Sequence, residues 1–226
     1  MTVNATTAAP SGVTCDRTAA ITRSLLGYGV IAGPLYVGVS LAQAVTRDGF
    51  DLSRHAWSLL SNGSAGWIQV TNFIVAGLMV LAAAVGLGRA LVDGRGSTWV
   101  PRLTGGYGLS LVAAGVLRAD PAYGFPAGTP AGPAAMTWHG AGHLMAGALG
   151  VACLIVACLI MAGRYAAERR RGLAWLSRLT GYGYLAAFAA IASVPAAATL
   201  AFTAAVVLAW VWLSVTTVTC DRAAAR

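Results

Sequence analysis

Residues 67–91 read WIQVTNFIVAGLMVLAAAVGLGRAL, and this stretch decides the fold class. It holds a single charged side chain, Arg89, and a helix that crosses a bilayer needs roughly 20 consecutive, mostly apolar residues. Five other stretches are similar, so that the predicted spans cover residues 24–45, 67–91, 100–117, 138–163, 176–194 and 196–220. The sequence therefore predicts an all-α, polytopic membrane helix bundle with six transmembrane helices in three hairpins.

The composition agrees with this fold class and limits the partners. Hydrophobic residues make up 58% of the chain and charged residues 10%, with a mean hydropathy of +0.71, whereas a soluble domain carries about 25% charged residues. The net charge of +8 comes from arginine alone, and the arginines are spread between the apolar stretches. We therefore expect the lipid bilayer as the partner and no binding of nucleic acid.

The remaining predictions concern the two ends of the chain and the turn in the last hairpin. We predict a disordered cytoplasmic tail at residues 1–23, a membrane domain at 24–220 and a second tail at 221–226. Pro195 alone separates the last two predicted spans, and the residue before a proline avoids the α conformation, which favours a tight turn. One kinked segment is the alternative, because membrane helices tolerate proline.

The arginines also predict the orientation in the membrane. The tails and the second and fourth loops together hold twelve arginines, whereas the first and third loops hold only Arg47, Arg54 and Arg118. Positive residues are retained on the cytoplasmic side of a membrane. We therefore predict a multi-pass protein of the plasma membrane with both termini in the cytoplasm.

A short repeat supports the division into three hairpins. RSLLGYG at 23–29, RLTGGYG at 102–108 and RLTGYG at 178–183 each open an odd-numbered predicted span on the cytoplasmic side. An arginine at the headgroups, a tyrosine in the aromatic belt and glycines at helix contacts explain this pattern as membrane anchoring and packing.

The side chains capable of proton or metal chemistry are concentrated in the first and third loops, on the outer side. The first loop predicts a turn and a short interfacial helix capped by Asp51 or Ser53, which would place Asp51, His55 and Ser58 on one face; simple capping is the alternative. The third loop predicts a compact cap, in which Arg118 and Asp120 are placed to form an ion pair. The outer set is Asp48, Asp51, His55, Ser58, Ser61, Arg118, Asp120, His139 and His143.

Two further features of this side concern histidine and asparagine. His139 and His143 are four residues apart, so both imidazoles are expected to face one way and could bind zinc together with His55. A hydrogen-bonded polar seam is the alternative, since the glutamate of the metalloprotease motif is missing. Asn72 lies within an apolar span, where an unpaired amide is costly, so we expect it to pair near the site.

The outer loops carry a family resemblance. The motifs are Gly-Phe-Asp at 49–51 with a nearby histidine, Ser-Leu-Leu-Ser at 58–61, Gly-Trp at 66–67 with Asn-Phe at 72–73, and Asp-Pro at 120–121 with Gly-Phe-Pro at 124–126 and two histidines. In this layout, residues 24–220 resemble a family of small actinobacterial six-helix membrane proteins catalogued as a domain of unknown function. The motifs point to the family and say little about activity.

In size and span pattern the chain is also similar to small membrane terpene cyclases of drimentine-type and xiamycin-type pathways. That resemblance implies a lipophilic substrate, such as a prenylated indole or cyclodipeptide, and proton-initiated cyclisation of its farnesyl-type chain without a metal or soluble cofactor. Such chemistry needs a carboxylic acid kept protonated by apolar surroundings and an aromatic wall that stabilises a cation.

The resemblance assigns roles to residues of the outer side. The proton donor would be Asp51 or Asp120, with Asp48 third, and His139 or His143 would be its hydrogen-bond partner or the final base. The substrate-binding candidates, of which the first five form the aromatic wall, are Trp57, Trp67, Tyr123, Phe125, Trp138, His55, Asn72 and Arg118.

Two other function classes are compatible with the same residues. A zinc-dependent membrane lipid hydrolase, similar to alkaline ceramidases, would use three histidines with Ser58 and Asp120, although six spans and the serine spacing depart from that family. A non-catalytic lipid-binding or structural membrane protein is the third hypothesis. A zinc assay and replacement of the two aspartates would distinguish these classes.

Overall fold

The computed structural model describes residues 12–133, 135–191 and 196–224, and its regular elements are helices. They are α1 (Gly12–Thr46), a short 3-10 helix (Trp57–Ser61), α2 (Gly66–Ala90), α3 (Trp99–Val116), α4 (Trp138–Ala167), α5 (Arg171–Ile191) and α6 (Ala196–Ala224). The all-α prediction is confirmed for this part of the chain. The third loop has no helix among its described residues, as its many turn-forming residues predict.

The first helix begins earlier than predicted. Residues 12–23 were assigned to the disordered tail, but α1 already begins at Gly12. The segment 13–26 contains neither glycine nor proline, so nothing in it interrupts a helix. Two contacts also hold it against the bundle: Arg89 Nε donates to the Thr22 hydroxyl at 2.9 Å, and Arg23 lies 3.4 Å from Asp221.

Four helices have the length and apolar character needed to cross a membrane. They cover Arg17–Thr46, Gly66–Ala90, Trp138–Ala167 and Ala197–Ala223. Helices α3 and α5, with 18 and 21 residues, are long enough but less apolar, and each carries arginine near its beginning. The four long apolar helices mark the chain as a membrane protein.

Neighbouring helices pack closely where glycines face each other. A Cβ added to Gly77 in α2 would lie 2.7 Å from the backbone oxygen of Gly108 in α3. In α1, a Cβ at Gly33 would lie 2.9 Å from the Cβ of Trp210 in α6, so the first and last helices also touch. Small residues allow this backbone approach between helices in a lipid environment.

The last two helices form a side-by-side pair. Trp212 in α6 donates its indole N–H to the hydroxyl of Ser177 in α5 at 2.9 Å, and the rings of Tyr184 and Phe202 lie 5.8 Å apart. Two separate helices are therefore present, as predicted, rather than one kinked segment. The turn predicted at Pro195 lies outside the described residues.

Candidate functional site

His55 joins the first and third loops, at the end of the bundle that is predicted to be the outer one. Its Nδ1 accepts a hydrogen bond from the backbone N–H of Asp51 at 2.8 Å, and its Nε2 lies 3.0 Å from the backbone oxygen of Tyr123. Because a carbonyl can only accept, the ring proton resides on Nε2. The ring is 2% exposed and packs between Phe50 and Phe125, at centroid distances of 5.3 and 5.5 Å. Both nitrogens of His55 are therefore used to hold the loops together.

Arg47, directly after α1, belongs to the same group of contacts. We call this group, formed by residues 47–62 and 123–125, the outer cap. Its guanidinium donates to the backbone oxygens of Leu60 at 2.5 Å and Asn62 at 2.6 Å, and it lies 4.8 Å from the centre of the Phe125 ring. Partial burial lowers the pKa of Arg47 from its ordinary value. The two bonds anchor the 3-10 helix to α1 and cover the outer end of the bundle.

The Asp51 carboxylate is exposed and forms a turn. Its Oδ1 accepts hydrogen bonds from the hydroxyl of Ser53 at 2.7 Å and from the backbone N–H of Ser53 at 2.8 Å. These bonds hold the pKa of Asp51 below its ordinary value of 3.8. A proton donor needs the opposite shift, so this environment disfavours Asp51 as the acid of a cyclase.

The same turn corrects the predicted interfacial helix. Residues 51–56 are turns and irregular backbone, and the 3-10 helix begins only at Trp57. Asp51, His55 and Ser58 therefore do not share a helical face. The reason is local: the aspartate side chain binds the backbone two residues later and competes with helix formation.

Replacement of Asp51 by asparagine is expected to change how stability depends on pH. Because the folded-state pKa lies below the ordinary value of 3.8, the carboxylate's stabilising contribution is fully present above about pH 4 and is lost as the pH falls through the lower folded value. Thermal unfolding of purified protein in detergent between about pH 3 and pH 7 measures this. An Asn variant with the same acid dependence as the wild type would contradict the assignment.

Asp120 connects the end of α3 to the start of α4. Its Oδ1 accepts from the hydroxyl of Thr137 at 2.6 Å, and its Oδ2 accepts from the backbone N–H of Thr137 at 2.8 Å. Thr137 in turn caps α4 by accepting from the backbone N–H of Gly140. The carboxylate lies where a side chain at Gly140 would be, beside the positive end of the α4 dipole. Asp120 is half-buried at the outer edge of the bundle.

The other charged candidates of the outer side point into solvent. Asp48 and Arg118 are exposed. The predicted ion pair between Arg118 and Asp120 is wrong within the described residues, where the ion pairs are formed by Arg23, Arg164 and Arg170. Thr137 takes both oxygens of Asp120 instead. Tyr123 is 41% exposed and contributes its backbone oxygen to His55.

His139 and His143 lie in different surroundings, although both belong to α4. His139 is exposed and stacks on Trp138 at 3.4 Å, whereas His143 is 7% exposed. The Nδ1 atom of His143 lies 2.9 Å from the backbone oxygens of both Ala114 and Leu117, so it carries the proton and leaves the lone pair on Nε2. Among the described residues, no group of three or more His, Cys, Asp or Glu could hold a metal ion.

The predicted aromatic wall divides into inner and outer residues. Trp57 and Phe125 are 5% and 1% exposed, whereas Trp67 and Trp138 are 68% and 71% exposed. The exposed pair points away from the bundle, as side chains of an interfacial aromatic belt do. Only Trp57 and Phe125 are placed to line the interior.

Below the outer cap lies a buried polar network between α1 and α2. Gln69 Oε1 accepts from the side-chain nitrogens of Gln43 at 2.8 Å and Asn72 at 3.3 Å, and Ser40 bonds to Gln69 at 3.2 Å. The Asn72 nitrogen also donates to the backbone oxygen of Tyr36 at 3.1 Å. The expectation that Asn72 is paired is confirmed for its nitrogen.

Aromatic rings surround this network. The ring of Tyr36 lies 6.1 Å from Trp57, 5.5 Å from Phe73 and 5.1 Å from Trp210. Phe73 also contacts the ring of His143 edge-on at 6.0 Å. We use the name Tyr36 cluster for eight residues: the aromatic Tyr36, Trp57, Phe73 and Trp210, and the polar Ser40, Gln43, Gln69 and Asn72.

The Tyr36 cluster holds hydrogen-bonding atoms without a partner. Within the described part of the chain, six buried side-chain atoms lack one, and four belong to this cluster: Gln43 Oε1, Asn72 Oδ1, Trp57 Nε1 and Trp210 Nε1. Two of these are acceptors and two are donors. Each buried polar atom without a partner costs about 1–3 kcal/mol, so a concentration of four calls for an explanation.

The family model described as "Protein of unknown function (DUF998)" matches residues 30–219. The chain belongs to this family. The match includes every residue of the Tyr36 cluster and of the outer cap. No curated protein and no solved structure matches the chain.

Within this DUF998 protein, the Tyr36 cluster contains residues that the sequence analysis did not select. Tyr36, Ser40 and Gln43 lie inside the first predicted span, and Trp210 lies inside the last. One signal for the polar part was present: Ser40 with Gln43, and Gln69 with Asn72, are each three residues apart, so each pair lies on one face of its helix. Nothing in the sequence pattern singles out Trp210.

Proposed function

We propose that this protein crosses the plasma membrane six times and binds a lipophilic small molecule with a hydrogen-bonding group in the Tyr36 cluster. The observation that carries the binding site is the concentration of four buried polar atoms without partners, surrounded by aromatic rings. The ligand would supply a donor to the two amide oxygens and an acceptor to the two indole N–H groups.

The span proposed for α3 is supported by the way this helix packs on α2. Along α3, Pro101 approaches Gly88, Gly108 approaches Gly77, and Gly115 approaches Val70. These contacts run from one end of α2 to the other. Since α2 is apolar enough to span a membrane, α3 lies beside it over the same depth. The excess of arginines at their end of the bundle supports a cytoplasmic position for both termini.

The chemistry of the cluster limits the ligand class. A molecule that satisfies the free atoms both donates and accepts, as an amide does. The rest of the molecule would pack on Tyr36, Trp57, Phe73 and Trp210, whose faces favour an apolar or unsaturated chain. A prenylated amide or cyclodipeptide meets both requirements, and it could enter from the bilayer.

Removal of the two indole N–H groups is expected to weaken the binding of such a ligand. In Trp57→Phe with Trp210→Phe, aromatic rings remain but two donors are lost, and each lost bond to a ligand should reduce affinity roughly tenfold. The measurement is titration of purified protein in detergent with a farnesylated cyclodipeptide, together with mass spectrometry of lipophilic molecules that copurify.

A matched control and the ligand-free stability make this experiment decisive. Trp67→Phe changes the same group on the exposed face of α2, where the ring is 68% exposed, and should leave affinity unchanged. Thermal unfolding without ligand checks that the double variant is folded. Equal affinity in all three proteins would reject the Tyr36 cluster as the ligand site.

Proton-initiated cyclisation is a second candidate, favoured by the position of His143. Its ring contacts Phe73 in the cluster, and it lies one helical turn from Gly140, against which the Asp120 carboxylate packs. Asp120, once protonated, would give up one of its two hydrogen bonds from Thr137 and donate the proton to the prenyl chain, and aromatic faces would stabilise the cation. Nε2 of His143 would take up a proton from the cyclised product and then release it, so that Asp120 can be protonated again for the next turnover. The substrate and product would be isomers.

The zinc hydrolase hypothesis finds no ligand set among the described residues. His55 uses both nitrogens between the loops, His139 stacks on Trp138 at the surface, and His143 lies in the interior. We therefore do not extend that hypothesis to a mechanism.

A further inference from the structure

The arginine-rich end of α5 and α6 contains a groove of about 670 Å³. Its rim carries the guanidinium groups of Arg170, Arg171 and Arg222, and its wall includes Leu173, Val215 and Val218. The groove therefore has cationic residues at its rim and apolar residues along its wall. It lies at the opposite end of the bundle from the outer cap, so it is separate from the Tyr36 cluster.

The charges at the rim are poorly neutralised by the protein. No acidic side chain lines the groove. Arg170 lies 3.8 Å from Glu168, which is shared with Arg164, whereas Arg171 and Arg222 form no ion pair with any residue that the structure describes. Three exposed arginines with one partly shared carboxylate leave a net positive rim that would attract an anion.

The backbone adds to this attraction. Helix α5 begins at Arg171, and no acidic residue occupies its first turn. The N–H groups at the start of a helix and the helix dipole both favour an anion there. The arginine side chains and this helix start therefore act on the same part of the groove.

A neighbouring cavity is lined by residues of the kind found at the level of lipid headgroups. This second cavity, of about 310 Å³, shares Arg171 and is also lined by Arg178 and Trp175. Trp175 is 66% exposed, and the Arg178 guanidinium lies 5.4 Å from the centre of its ring. Exposed tryptophans beside arginines are typical of the boundary between headgroups and acyl chains.

We propose that the groove between α5 and α6 binds one anionic phospholipid. The phosphate would lie among Arg170, Arg171 and Arg222, and an acyl chain would lie along Leu173, Val215 and Val218. A soluble phosphate would use the rim but leave the apolar wall without a contact. Basic pockets between membrane helices on the cytoplasmic side are a recognised way of holding anionic headgroups.

Loss of two rim arginines is expected to weaken this lipid selectively. The test uses the full chain in mild detergent and native mass spectrometry with added phosphatidylglycerol, or phosphatidylcholine with the same acyl chains. Arg171→Gln combined with Arg222→Gln should reduce phosphatidylglycerol binding by roughly 30-fold, since each arginine near an anionic headgroup contributes about a fivefold factor. Phosphatidylcholine binding should be weak in all proteins.

The control variant and a soluble anion distinguish the outcomes. Arg102→Gln removes an exposed arginine that lies over Trp99 at the start of α3, outside the groove, and should leave phosphatidylglycerol binding unchanged. Equal weakening by Arg102→Gln would mean general attraction to the whole basic end and would overturn the site. Equal competition by glycerol phosphate would show that the apolar wall has no role, which overturns the lipid as ligand. Unaltered folding of the double variant is checked by its thermal unfolding.

Discussion

Gly77→Leu is expected to prevent assembly of the bundle, with little folded protein recovered from membranes. Any side chain at this position meets backbone: a Cβ would lie 2.7 Å from the Gly108 oxygen and 3.0 Å from the Val112 nitrogen. Backbone cannot rotate away as a side chain can, so α2 and α3 would have to separate along their length. Overpacking of this kind costs about 3 kcal/mol or more, a large part of the roughly 5–15 kcal/mol that stabilises a typical fold.

The matched control is Gly38→Leu in α1. Gly38 is exposed, and a Cβ there has no other atom within 4 Å. A leucine at this position would face lipid and should leave the yield and the elution profile in detergent unchanged. Comparable yields for both variants would contradict the packing of α2 on α3 and, with it, the argument that α3 spans the membrane.

The positions of the helices could be predicted from the sequence because each depends on a local property. The second predicted span, 67–91, is shifted by one residue from α2, since the composition of the stretch and the glycine-rich turn before it define both ends. The start of α1 could not be predicted in this way. Thr22 and Arg23 in its first half contact Arg89 and Asp221, which are distant in sequence, and hydropathy does not detect such contacts.

The candidate site was harder to predict because it depends on which face each residue occupies. His139 and His143 have a helical spacing, yet His139 is exposed and stacks on Trp138, whereas His143 is buried against the end of α3. The sequence predicts His55 as a zinc ligand or a substrate-binding residue, whereas its two nitrogens contact backbone atoms of both outer loops. Spacing gives the relative direction of two side chains and does not give what covers them.

The Tyr36 cluster was not predicted for a different reason, which concerns uncharged polar residues. Ionisable residues lie mainly in the loops, but the buried amides of Gln43, Gln69 and Asn72 lie within apolar spans. In a membrane, an uncharged amide is already costly to bury without partners and is therefore informative. Polar residues three apart within two consecutive spans are the signal that would have located the network.

If the bound molecule is cyclised, Asp120→Asn is expected to reduce turnover of a farnesylated indole or cyclodipeptide by at least about 100-fold, because general acids contribute roughly 10²–10⁴ to rates. Asparagine keeps the shape, and its oxygen can still accept from the backbone N–H of Thr137, so the start of α4 should remain intact. The assay uses membranes containing the protein and detects a product with the mass of the substrate.

The comparison with Asp51 decides between a proton donor and a general effect of charge. Asp51→Asn removes the same charge from the same side of the membrane, but the carboxylate is exposed and its pKa is held low by Ser53, so turnover should be unchanged. Equal losses of turnover in both variants would show that Asp120 is not the proton donor. The folded wild-type protein could also bind the substrate without turning it over, while the Trp57 and Trp210 variant binds it more weakly. That outcome would reject cyclisation of those substrates and retain the Tyr36 cluster as a binding site.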